Sequence, residues 1–124
     1  MRTAAEPEPE PGSGPGKLSE PALLVLVSLS AGPRHGYAIR DDIEDVAGVS
    51  LGPGTLYGAI GRLEHRGLID ALPADERRKP YRITDAGTAA LRRHLAGMKA
   101  VVDTGLGRLA ATRIAGHRRP APGA

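Results

Sequence analysis

Gly52-Pro53-Gly54-Thr55-Leu56-Tyr57 is the stretch whose reading decides the fold of this chain. Pro53 suits the first turn of a helix, where its missing N–H is one that would go unbonded anyway. From there Leu56, Ala59, Ile60 and Leu63 recur at i, i+3, i+4 and i+7, the pattern of a helix with one apolar face. Gly67 is a natural stop. The opposite face is read as Thr55, Gly58, Arg62 and His65, flanked by Tyr57, and it is small, polar and free of carboxylate. Such a face suits a major groove: Arg62 carries donors for guanine O6 and N7, Thr55 reaches a base edge or phosphate, and Tyr57 donates to phosphate. Pro53 and Gly54 open the helix, whose N-terminal amides attract phosphate, and Gly54 and Gly58 let a backbone come close.

Upstream, Gly32-Pro33 and Gly48 bracket a second helix from about Gly36 to Ala47, with Tyr37, Ile39, Ile43 and Val46 read as inward and Arg40, Asp41, Asp42 and Glu44 as wet. Tyr37 has two readings, a phosphate contact or a ring packed locally. Before it, Ser19 is a cap, Glu20 favours the positive helix end and Pro21 fits the first turn. This first helix, expected to reach about residue 31, has so little polar face around Leu23, Leu26 and Leu29 that it belongs at the centre of the core. Residues 1–17, mostly Glu, Pro and Gly, are expected to be a disordered tail.

Downstream, residues 68–72 and 81–83 read as strands, and the polar segment 73–80 between them makes a hairpin with a basic tip. Arg77, Arg78 and Lys79 at that tip either follow phosphates and the minor groove or are merely solvated. Thr84 caps a last helix, expected over 85–115, on which Leu91, Leu95, Met98, Val102 and Leu109 fall at steps of four and three, with Gly105 in one slot. That spacing makes a seam for a second copy; packing on its own domain is the other reading, and Gly97, Gly105 and Gly107 weaken the helix or mark a bend. Residues 116–124 are expected to be a basic flexible tail.

The expected fold class is therefore mainly α with a small β-hairpin: a winged helix-turn-helix domain over 18–84 plus a C-terminal dimerisation helix. Its partners would be double-stranded DNA and itself, a homodimer facing an inverted-repeat operator with half-sites about one helical turn apart. The chain has 124 residues, a net charge of +3, and no Cys, Trp or Phe, which removes disulfides, thiolate metal sites and cysteine nucleophiles. His35, His65, His94 and His117 are too scattered for a zinc or catalytic site, and no nucleophile elbow, P-loop or dinucleotide fingerprint occurs. Neither enzyme activity nor a cofactor is expected. No apolar run approaches the roughly 20 residues of a membrane span, and the start lacks a signal-like apolar stretch, so no membrane partner and a cytoplasmic location are expected. The rival function is a winged-helix protein-interaction module whose basic wing meets an acidic partner.

Three signatures resemble the PadR family of bacterial transcriptional regulators: Gly32-Pro33-Arg34-His35-Gly36-Tyr37; Leu51-Gly52-Pro53-Gly54-Thr55-Leu56-Tyr57, continued by Arg62-Leu63-Glu64-His65-Arg66-Gly67-Leu68-Ile69; and Arg78-Lys79-Pro80-Tyr81-Arg82-Ile83-Thr84-Asp85-Ala86-Gly87. The resemblance covers about residues 18–95. It implies a homodimeric repressor of transcription that sits on an operator and is released by a small phenolic or drug-like, hydrophobic effector. The short C-terminus is similar to the subclass with a single terminal helix. Gly52 stands where the family commonly has a Ser cap, and Gly58 and Gly61 where Pro and Arg are frequent.

Overall fold

The structure is a computed structural model that describes residues 17–74 and 76–118, with side chains as far as residue 113. Of the expected N-terminal tail all but Lys17, and of the expected C-terminal tail residues 119–124, lie outside the described residues. The elements run α1 (Glu20–Leu29), β1 (Arg34–His35), α2 (Gly36–Ala47), α3 (Pro53–His65), β2 (Ile69–Ala71), β3 (Pro80–Ile83) and α4 (Asp85–Arg118). This is the expected mainly helical fold with a small antiparallel sheet. Two compact units divide at Arg92 and Arg93, within α4.

In the first unit, α1 is the central helix. Ser19 Oγ accepts from the Ala22 N–H at 3.3 Å, and Val25, Leu26 and Leu29 are fully buried. The helix stops two residues short of the expected end. Both α2 and α3 lie on α1 more extensively than on each other. Leu56, Ala59, Ile60 and Leu63 of α3 are buried, as their spacing required. After α3 the chain closes a Schellman turn: Gly67, at φ 74°, donates to Glu64 O at 3.0 Å and Leu68 to Leu63 O at 3.0 Å. Only a residue without a Cβ takes that left-handed conformation at little cost.

The hairpin is part of a three-stranded sheet in the order β1-β3-β2. Strand β1 was not foreseen; it pairs Arg34 with Tyr81 and His35 with Pro80. Two further corrections concern α2, where Ile39 and Ile43 are buried but Tyr37 and Val46 are each 64% exposed. Tyr37 stands two residues before Ile39, about 200° round a helix of 3.6 residues per turn, and so turns away from the core. Val46 shares the inner face but sits in the last turn.

Thr84 joins the sheet to α4. Its Oγ1 donates to Gly67 O at 2.8 Å and accepts from the Gly87 N–H at 3.0 Å. Gly87 then lies against the α3–β2 connection. A Cβ there would overlap Leu68 O and stand 2.8 Å from Ile83 Cγ1. Because the obstacle is backbone, Gly87→Ala is expected to destabilise the unit by about 1–3 kcal/mol, read as a lower urea midpoint at unchanged slope.

Ser28, 1% exposed, has no hydrogen-bond partner for its Oγ among the described residues. Ser28→Ala removes a desolvated hydroxyl and improves helix propensity, so a gain of about 1 kcal/mol is expected in the same unfolding assay.

The second unit is the remainder of α4. The helix passes through Gly97, Gly105 and Gly107 and continues to Arg118, three residues past the expected end and into the stretch read as a loose tail. Leu95 and Met98 are 42% exposed, Val102 52% and Leu109 68%. Val101 and Leu106 lie exposed beside this line. Leu91, read as the first seam residue, is instead 6% exposed within the core cluster of the first unit. The apolar line open to a partner therefore starts at Leu95. No described helix is long and apolar enough to cross a membrane.

Candidate nucleic-acid interface

The exposed side of α3 follows from its buried one. At about 3.6 residues per turn, the line opposite Leu56, Ala59, Ile60 and Leu63 runs through Gly54, Gly58, Gly61 and His65. Thr55 and Arg62 lie along one flank, and Tyr57 and Glu64 along the other. The centre of this face is thus barer than the sequence reading had it, and the Glu64 carboxylate borders it. A Cβ on Gly54 or Gly61 would meet nothing within 4 Å, so the helix backbone itself is open to close approach. At Gly58 the vacant position faces the Arg62 guanidinium, whose Nη1 would stand 3.4 Å from a Cβ. The Arg62 side chain thus lies back along the helix over Gly58.

Helix ends divide the molecule in a second way. α1 is capped by Ser19 with Glu20 in its first turn, and α4 by Thr84 with Asp85. At α2 and α3 no side chain caps the N-terminus and no acidic residue stands in the first turn. The cap of α3 is Gly52, with Pro53 following. Its first-turn amides keep their partial positive charge for an external anion.

Around this helix the other expected contact residues take up distinct settings. Tyr37 is exposed at the start of α2, and the Arg40 guanidinium, 5.3 Å from its ring centroid, gives the ring a local contact. Arg40, not singled out from sequence as a contact residue, is a half-buried cation i+3 along the same helix, with its Nε 4.0 Å from Asp41 Oδ1. In the wing, Glu76 and Arg77 both have positive φ, 51° and 71°, a costly conformation for residues with a Cβ. Arg78 Nη1 stands 3.2 Å from His35 Nε2, so this cation is tied back to β1. The Lys79 ammonium lies 5.9 Å from the Tyr81 ring centroid. Burial foremost, then the Glu64 carboxylate and Tyr57, raise the Tyr81 hydroxyl above the ordinary tyrosine value.

The Tyr57 hydroxyl, read as a phosphate donor, is seated against Gly36 at the start of α2, with one side of the residue open at 45% exposure. Neither this contact nor that of His35 with Arg78 has a signature in local sequence, since each joins residues far apart in the chain. Among the described residues no group of His, Asp and Glu side chains could hold a metal ion.

A family model described as "Transcriptional regulator PadR-like family" matches residues 25–93. A relative from a Streptomyces fradiae transposon, described as an uncharacterized 37.1 kDa protein, is 44% identical over 82 residues, 66% of this chain and 24% of that protein. The chain thus spans about a quarter of the length of this curated relative. Among solved structures, a transcriptional regulator from Clostridium thermocellum is similar at a TM-score of 0.63 and 28% identity, over 68% of this chain and 84% of that one. A PadR family transcriptional regulator from Eggerthella lenta is similar at a TM-score of 0.57 and 34% identity, over 69% and 80%.

Proposed function

The chain belongs to the PadR-like family of transcriptional regulators, and from that membership we propose that it represses transcription by binding a specific DNA operator as a homodimer in the cytoplasm. The observation that carries this reading is α3: an uncapped, acid-free N-terminus leading into a bare outer face with Thr55 and Arg62 on its flank. Pro53, Gly54 and Thr55 meet a phosphate at the helix start, the backbone at Gly54 and Gly58 comes close to the groove, and Arg62 reads a base. Tyr37 at the start of α2 and Arg77, Arg78 and Lys79 on the wing supply phosphate contacts that position the domain. Pairing of two copies along Leu95, Met98, Val102 and Leu109 presents two such helices to an inverted repeat. Release by a small hydrophobic effector completes the proposal.

Selection of bound duplexes from a random pool tests it. An enriched inverted repeat with half-sites about one helical turn apart is the expected product. A pool that stays random after repeated rounds would contradict sequence-specific binding and leave the interaction-module reading in its place.

A further inference from the structure

Gly36 opens α2, and the place its side chain would take is filled by Tyr57 of α3. A Cβ on Gly36 would overlap the Tyr57 hydroxyl and stand 2.6 Å from Cζ and 3.0 Å from Cε1. This contact joins two helices that each pack more on α1 than on one another. The phenol is also close enough to Tyr81 to contribute, after burial and Glu64, to holding the Tyr81 hydroxyl protonated. Tyr81 lies in the middle strand of the sheet, paired to Arg34 on one side and Ala71 on the other. One ring of α3 therefore fills the space at the start of α2.

We infer that Tyr57 is a positioning residue: seated on Gly36, it sets the angle of α3 against α2, so that base readout depends on it while general DNA affinity does not. The inference rests on the DNA-binding reading. Its physical basis is a difference in range. Hydrogen bonds to base edges need donor and acceptor within about 2.7–3.2 Å and good alignment, so a small rotation of α3 loses them. The attraction of cations to the phosphate backbone tolerates such a shift.

The test measures affinity for the selected duplex and for a random duplex, at several salt concentrations, with Tyr57→Phe, Tyr57→Ala and Gly36→Ala; circular dichroism and melting establish that each is folded. Tyr57→Ala is expected to lower the preference for the selected duplex by about tenfold or more, the worth of one base contact, with random-duplex affinity within about twofold and the salt slope unchanged. Tyr57→Phe keeps the ring, including Cζ, on Gly36 and is expected to retain the preference. Gly36→Ala, if folded, should resemble Tyr57→Ala. Equal weakening on both duplexes by Tyr57→Phe would overturn the inference and make the hydroxyl a phosphate donor. A preference left intact by Tyr57→Ala would overturn it as well. Wild-type protein with no preference would instead remove the DNA-binding reading on which it rests, an outcome separate from either variant result.

Discussion

Leu95→Glu is expected to give a monomer that binds its operator about 10²–10⁴-fold more weakly than the wild type, the range lost when two linked half-site contacts become one. Leu95, Met98, Val102 and Leu109 project from α4 at steps of three, four and seven residues and are all exposed in the isolated chain. Exposed large apolar side chains in one line are what a coiled-coil seam leaves uncovered until a second helix arrives. A carboxylate placed there has no partner in that seam and must either lose its charge or hold the helices apart. Met98→Glu should act alike. Because the winged unit ends at Arg92, both variants should keep its fold, which near-normal helicity would show. Light scattering that returns an unchanged dimer mass would remove the seam from the account.

Arg62→Ala carries the second large effect. On a site where Arg62 reads guanine, its loss should relax the preference at one base pair by about 1–3 kcal/mol and leave the others intact. Lys79→Ala should instead weaken every duplex alike and reduce the salt slope by about one. The contrast follows from placement: Arg62 lies on the flank of the α3 outer face, and Lys79 lies on the wing over the Tyr81 ring. Equal, sequence-blind losses from both variants would make Arg62 a phosphate contact.

The helices that carry their own punctuation were legible from sequence. Ser19 and Pro21 mark the start of α1, Pro53 and Gly67 bracket α3, and Thr84 begins α4. Local chemistry sets these boundaries, so a linear reading finds them. Strand β1 has two residues, too few to show alternation, and exists because Tyr81 and Pro80 offer their backbone to it. The placements of Val46 and Leu91 depended on tertiary packing, whereas that of Tyr37 follows from its position on the wheel of α2. Leu91 has the spacing of a seam residue, yet it lies where the start of α4 still closes the domain core.

At the candidate site, the residue types on α3 were legible and their arrangement only partly so. Thr55 and Arg62 were expected on the outer face and occupy one flank, while the three glycines and His65 take its centre. The barren centre reflects the wheel of the helix rather than any single residue. That Arg78 answers to His35, and Tyr57 to Gly36, comes from the folded chain bringing distant segments together.

The central claim is that the α3 face and the wing bind DNA with sequence preference, and a salt titration of fluorescence anisotropy on the selected inverted repeat and on a scrambled duplex tests it most directly. The account predicts a linear fall of log affinity with log salt on both duplexes, and at near-physiological salt at least about 10³-fold tighter binding to the inverted repeat. Superimposable curves for the two duplexes, or an affinity indifferent to salt, would contradict it.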